Sequence, residues 1–320
     1  MTLMKKKIPT IFSNFWNDYS VAFVFVVMIL LFGIISPSFF SWNNFMAIFR
    51  NSSAVGIIAL GMTFVIIAGG IDLSVGSNFT VCGVLLVTLQ GGLQLPLGIC
   101  FILTCLCGMA IGLINGLIIS KAKLPPFIVT LAMQVFLRSI VKYITNGATV
   151  RGLREEVFSS IGNGNLFGNF PLPFALFIII AVLMHLLLTK TKFGTYVYAT
   201  GGNEATAKYT GIKVDIIKIS TYVLIGLMAA FASTVEVSRM ASVSPTVSGI
   251  NYELEAVTSA IVGGTAFSGG KGKIAGTIIG AIILFIITNI MIHLDLSAYL
   301  SGAVKGIIIL VAVLLQKHGN

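Results

Sequence analysis

The segment Gly264 to Lys273, Gly-Thr-Ala-Phe-Ser-Gly-Gly-Lys-Gly-Lys, is where the sequence comes nearest to a phosphate-binding loop. Such a loop needs Gly, four residues, Gly, Lys and then Ser or Thr, so that backbone N–H groups and the lysine surround the phosphates. With Lys271 as that lysine, the first glycine position holds Thr265 and the hydroxyl position holds Gly272. The pattern fails at both places, and no nucleotide site is expected. His185, His293 and His318 are scattered near the ends of apolar runs and read as interfacial histidines. Cys82, Cys100, Cys105 and Cys107 all lie inside apolar runs, and Cys105 and Cys107 point to nearly opposite faces of a helix. Packing thiols are expected there, with no disulfide and no metal. Without a triad, a metal cluster or a cofactor motif, the chain does not read as an enzyme.

The stretch Ala68 to Ser77, Ala-Gly-Gly-Ile-Asp-Leu-Ser-Val-Gly-Ser, carries more information. Its two glycines break an incoming helix, and Asp72 or Ser74 can cap the next one. It is either a capped turn or a broken helix whose polar end lines a pathway. Arg138 falls inside an apolar run with Lys142 one turn later; both are expected near its outer end, where long side chains snorkel to water. Lys305 is deeper in the last apolar run and has no evident acidic partner. Glu236, Glu253 and Glu255 flank apolar segments and read as interfacial or helix-start residues.

The elements that must position these side chains follow from composition. The chain has 320 residues, 57% hydrophobic and 9% charged, with a mean hydropathy of +1.02. A soluble domain carries about 25% charged residues. An ordinary soluble enzyme, a disordered protein and a disulfide scaffold are therefore excluded. A membrane-spanning helix needs about 20 apolar residues. The apolar runs are too long and too unalternating for a β-barrel. The expected fold class is an all-α, polytopic integral membrane bundle of about ten segments, roughly 21–36, 45–69, 77–90, 96–119, 126–145, 172–189, 217–236, 254–267, 274–292 and 298–315. The first reads as an uncleaved span, because no small-residue cleavage pattern follows it. The second and eighth run into Gly-Gly pairs and are candidates for broken or re-entrant segments.

Charge placement orients this bundle. With the N-terminus cytoplasmic, both termini are cytoplasmic. The inner side then receives Lys5, Lys6, Lys7, Lys121, Lys123, Lys190, Lys192, Lys208, Lys213, Lys218, Lys271, Lys273 and Lys317, and the outer side Arg50, Arg151, Arg154 and Arg239. That asymmetry is the positive-inside pattern, so the net charge of +10 reports orientation and needs no nucleic-acid partner. Trp16 and Trp42 flank the first span, where amphipathic rings favour the interface.

Two hydrophilic connections stand out: residues 146–171 outside and residues 190–218 inside. In the inner one, Gly201-Gly202-Asn203 gives a break and a cap, Glu204 to Tyr209 is helix-friendly, and Gly211 can end it. It is either a solvated loop or a rigid protrusion for a partner to push. Glycines four apart, at 108, 112 and 116 and at 272, 276 and 280, let helices touch backbone to backbone. Gly69-Gly70 and Gly269-Gly270 hint at an internal duplication but do not fall at equivalent positions of a five-plus-five repeat.

These residues resemble the sugar-importer permeases of the ATP-binding-cassette superfamily, the group of bacterial ribose permeases and their relatives. The likeness rests on Gly61-Met62-Thr63 with Gly70-Ile71-Asp72-Leu73-Ser74-Val75-Gly76-Ser77, Thr145-Asn146-Gly147, Gly201-Gly202-Asn203-Glu204-Ala205 with Gly211-Ile212, Tyr252-Glu253-Leu254-Glu255-Ala256, and Gly263-Gly264-Thr265 with Gly269-Gly270-Lys271-Gly272. The stretches cover nearly the whole chain, which then forms one permease domain over 1–320. The resemblance implies a permease of the bacterial inner membrane, paired with a second permease copy as a homodimer or heterodimer. Its further partners are cytoplasmic ATPase subunits and an extracytoplasmic sugar-binding protein. It assigns ATPase coupling to Gly202, Asn203, Glu204, Ala205 and Lys208; the run Ala205-Thr206-Ala207 departs mildly from the family's wording. Ribose is the nearest substrate, with related monosaccharides open. A sugar pathway should offer hydroxyl, amide and aromatic contacts, and Phe64, Asn78, Thr80 and Gln134 are its candidates beside Asp72 and Ser74. The alternative is a gradient-driven sugar carrier, which should bury carboxylates in mid-span.

Overall fold

The computed structural model describes residues 37–152 and 156–294, with a few helical residues beyond those ranges. The expected spans 21–36 and 298–315, with Trp16 and Lys305, lie largely outside the described residues. A short 3-10 turn over Pro37–Phe40 leads into α1 (Trp42–Ile67). The chain continues through α2 (Val75–Val87), α3 (Leu97–Lys121), α4 (Pro126–Ile144), α5 (Glu156–Asn163), α6 (Leu172–Lys190), α7 (Lys192–Gly202), α8 (Glu204–Tyr209), α9 (Val214–Met240), α10 (Tyr252–Val262) and α11 (Ile274–His293). Four two-residue strands are β1 (Val150–Arg151), β2 (Asn165–Leu166), β3 (Phe170–Pro171) and β4 (Ser242–Val243). β1 pairs antiparallel with β4, Val150 opposite Val243, and β2 pairs with β3.

Among the described residues, seven helices are long and apolar enough to cross a membrane: α1, α2 with its π-helical extension to Gly92, α3, α4, α6, α9 and α11. Their starts follow local chemistry. Ser41 caps α1 by accepting the Asn44 N–H at 3.3 Å. Pro126 and Pro173 sit in the first turns of α4 and α6, where a missing N–H costs nothing. α1 was a candidate for a broken span, yet it runs unbroken for 26 residues and stops at the glycine pair. The eighth expected segment, 254–267, the other candidate for a broken span, is the 11-residue α10. At 1.5 Å per residue such a helix is about 16 Å long, half a bilayer core. The 190–218 connection holds an additional helix, α7, that runs through Gly201-Gly202 and breaks only at Asn203.

Packing puts α1 at the centre, nearly all of it buried. α9 lies along α3, and the Gly108–Gly112–Gly116 face makes this possible: a Cβ on Gly112 would overlap the Tyr222 carbonyl oxygen. α11 packs on α10 in the same manner, with Gly276 against Gly263 and Gly280 against Ser259. The outer faces of α3, α4 and α6 expose Ile102, Leu106, Val135, Phe136, Ile179 and Leu183. Apolar side chains in such number belong against lipid.

Candidate functional site

Three groups of residues could carry function. The first is a polar knot where the chain leaves α1 for α2. Asp72 is buried, and its Oδ1 accepts the Ser74 N–H at 2.8 Å and the Ser74 hydroxyl at 2.6 Å. Asn115 of α3 donates to Ser74 Oγ at 2.8 Å. Tyr222 of α9 donates to the Ile71 carbonyl at 3.0 Å. Ser74 is the residue before α2 but makes no side-chain cap bond, and Asp72 turns back on Ser74. The expected cap is therefore an Asx-type turn, tied to α3 and α9. A narrow cleft lined by Val65, Gly69, Gly70, Lys218 and Tyr222 opens beside it.

The second group lies at the middle of α4. The connection after α9 folds back against α2 and α4, with Gly249 packed on Gly76, and α10 begins with Glu253 buried. Arg138 donates to the Ser248 carbonyl at 2.7 Å, the Pro245 carbonyl at 3.3 Å and Thr80 Oγ1 at 3.0 Å. Thr80 in turn donates to the Ser248 carbonyl at 2.8 Å. One turn before Arg138, Gln134 donates to Glu253 Oε1 at 2.8 Å, and Ser77 donates to the Gln134 carbonyl at 2.9 Å. Glu253 is 6% exposed, and its Oε2 has no hydrogen-bond partner. That oxygen lies against Gly76, where a Cβ would overlap it and the Gly249 carbonyl. Arg138 therefore turns inward instead of snorkelling, and Glu253 is a helix-start residue, as expected, but a buried one. Glu236, expected to close its span, lies within α9 and accepts the Tyr252 hydroxyl at 2.7 Å.

The structure brings Thr80 and Gln134 together in this second group, and Asp72 and Ser74 together in the first. Asn78 turns towards α3, donating to the Gly108 carbonyl at 3.3 Å. Phe64 is not with either; it is fully buried and stacks on Phe193 of α7 at 6.0 Å. Sequence reasoning missed Asn115, Tyr222 and the part played by Arg138 and Glu253. The legible signal was an ionisable residue inside an apolar run beside an interrupted segment.

The third group is the α7–α8 hairpin. Asn203 caps α8 by accepting the Thr206 N–H at 2.9 Å. Glu204 pairs with Lys208 at 2.6 Å and with Lys218 of α9 at 2.6 Å. Those two ammonium groups hold the Glu204 carboxyl below the usual glutamate range, and Glu204 raises Lys208 in return. Gly202, Ala205 and Lys208 are exposed, as is Tyr209 at 91%. Lys121 pairs with Asp215 at 3.6 Å, in the first turn of the same α9 that carries Lys218, so Lys121, Lys208 and Lys218 share one end of the bundle. Among the described residues no three His, Cys, Asp or Glu side chains lie close enough to hold a metal ion.

Residues 44–313 match the family model described as branched-chain amino acid transport system / permease component. The chain is 38% identical over 296 residues to the ribose import permease protein of Haemophilus influenzae, covering 92% of this chain and 91% of that one. It is 40% identical over 293 residues to the ribose import permease protein of Bacillus subtilis, covering 91% and 90%. It is 33% identical over 313 residues to the D-allose transport system permease protein of Escherichia coli, covering 98% and 95%. No solved structure matches it. Seven apolar helices, their lipid-facing sides and these full-length matches lead to one assignment: the chain belongs to the family of transport-system permease components and is a multi-pass protein of the bacterial cytoplasmic membrane.

Proposed function

We propose that this chain is the membrane-spanning permease subunit of an ATP-driven, binding-protein-dependent importer of ribose or a related monosaccharide. The observation that carries this reading is the likeness to ribose and allose permeases over more than nine-tenths of the chain. All of 1–320 forms one permease domain of about ten segments, α10 being a half-span, with both termini cytoplasmic. A second permease copy completes the channel. A cytoplasmic ATPase grips the hairpin within 190–218, through Gly202, Asn203, Glu204, Ala205 and Lys208. A sugar-binding protein docks on the opposite side.

The geometry supports that division of labour. The α8 helix is short, capped and exposed, yet it is anchored to the long α9 through Lys218. The Asp72–Ser74 knot and the Thr80–Gln134 group supply hydroxyl, amide and carboxylate chemistry inside an apolar bundle, as a polyol needs. Phe64 and Asn78 belong to the walls that position them. ATP binding can shift the bundle between outward- and inward-open states only through a contact that differs between those states. The exposed hairpin is placed to make that contact.

Proteoliposomes decide between this and a gradient-driven carrier. The chain reconstituted with a ribose-importer ATPase and its binding protein should accumulate ribose only when ATP is supplied. Accumulation by the chain alone under an ion gradient would overturn the reading.

A further inference from the structure

Three Gly-Gly pairs, widely separated in sequence, meet at one point of the fold. They are Gly69-Gly70 after α1, Gly201-Gly202 at the end of α7, and Gly269-Gly270 in the turn between α10 and α11. The Gly270 N–H donates to the Ile67 carbonyl at 2.9 Å, at the C-terminus of α1. Gly201 rests on that same carbonyl: a Cβ there would overlap Ile67 O and lie 2.8 Å from the Gly270 nitrogen. A Cβ on Gly269 would lie 2.9 Å from the Gly201 carbonyl oxygen and 3.3 Å from the Gly69 Cα. Gly69, Gly269 and Gly270 take φ values of +83°, +84° and +71°, which L side chains rarely adopt. One turn before Gly201, Tyr198 donates its hydroxyl to the Gly272 carbonyl at 2.6 Å. Backbone therefore meets backbone from three elements, with no flexible side chain between them.

This matters for how the α7–α8 hairpin could act. Side chains can absorb a small displacement by changing rotamer; close-packed backbone cannot. On one side the node touches α1, the central helix. On the other it holds the 266–272 turn, which directly follows α10, the half-span whose first turn carries Glu253. A push on α8 thus has a stiff route to both.

We propose that Gly201 is a positioning residue for coupling: its bare Cα, seated on the Ile67 carbonyl and against the Gly269-Gly270 turn, delivers movement of the α7–α8 hairpin to α1 and α10. The role rests on the reading of α8 as the ATPase contact. It is distinct from docking, because Gly201 faces the bundle while Ala205, Lys208 and Tyr209 face outward.

The test uses the complete importer in proteoliposomes, with ATP hydrolysis and ribose uptake measured on the same sample. For Gly201→Ala the ATPase should stay bound and hydrolyse ATP at the wild-type rate, while ribose moved per ATP falls about tenfold. Tyr198→Phe removes only one hydroxyl contact and should shift the same ratio the same way, by about two- to threefold. It decides the matter if the alanine variant fails to insert. Gly98→Ala, where a Cβ meets nothing within 4 Å, is the control for a glycine substitution as such. A wild-type uptake ratio in the inserted variants, or loss of the ATPase from Gly201→Ala, overturns the positioning role. If the wild-type assembly itself shows no ATP-driven uptake, the permease reading fails instead.

Discussion

Glu253 and Glu204 are both carboxylates at the start of a short helix, and the fold treats them in opposite ways. Glu253 is buried at the head of α10, where its one hydrogen-bonded oxygen meets the neutral Gln134. The nearby Arg138 is spent on backbone carbonyls of the folded-back connection. Glu204, at the head of α8, has a side chain 42% exposed and two ammonium partners. In the low-dielectric interior each polar contact is strong and each missing one is costly, so the Arg138–Glu253 region holds one arrangement. At the solvent edge ion pairs are weak and exchangeable. A surface that must engage and release a partner is better built from the second kind. A segment that must hold its place within the bundle is better built from the first.

That contrast predicts a graded series. Arg138→Met keeps an unbranched apolar stem but leaves the Pro245 carbonyl without its donor and removes a charged bond from Ser248. It should destabilise the protein in detergent by about 3 kcal/mol and abolish uptake. A melting temperature unchanged within error would show that the folded-back connection is held by packing alone. Asp72→Ala comes next. It strips the acceptor from the buried Ser74 N–H and hydroxyl, at a cost of about 1–3 kcal/mol, and uptake should drop with ATP hydrolysis still present. Wild-type uptake would leave Asp72 as helix punctuation only.

Much of the fold was legible in the sequence because lipid imposes a strong rule: long apolar runs become helices, and lysines mark one side. α3, α4 and α6 fall within two residues of their expected bounds. The α8 helix was legible too, since Asn203 and Gly211 punctuate it through local backbone chemistry. The structure keeps both, with Gly211 at φ +83°. α10 was legible in part: its apolar run to Phe267 ends beside a Gly-Gly pair, which made it a candidate broken or re-entrant segment, but only the tertiary path shows how the connection before it packs against α2 and α4. The Arg138 contacts were hidden for the same reason, because their acceptors are carbonyls of Pro245 and Ser248, 107 and 110 residues away. Main-chain acceptors leave no mark on residue type. The meeting of the three glycine pairs is half visible: two pairs hint at a duplication in the sequence, and their contact with Gly201 comes only from the fold.

The exposed end of the comparison yields the smallest effects, and the sign can be worked out. Glu204→Lys places a third ammonium group beside Lys208 and Lys218, so α8 should lose its anchor to α9 and its grip on the ATPase, with membrane insertion intact. Undiminished co-purification of the ATPase would count against the coupling role. In the wild type, Lys208 and Lys218 hold the Glu204 carboxyl below its ordinary value. A depressed carboxyl contributes stability that is fully present above the unfolded value, about 4.3 for glutamate. That contribution disappears as the pH falls through the lowered folded value. Hydrogen exchange of residues 203–211 should therefore stay constant from pH 7 to about 5, once corrected for intrinsic rates, and quicken below about pH 4. Raising salt at pH 7 should quicken it slightly as well, because exposed pairs are screened over about 10 Å at 0.1 M. The backbone amides of the α10 first turn should show neither response to salt nor loosening at pH 4, since Glu253 is buried and its hydrogen-bonded oxygen meets the neutral Gln134. Equal sensitivity of the two helices would erase the distinction between a fixed interior segment and an exchangeable surface one.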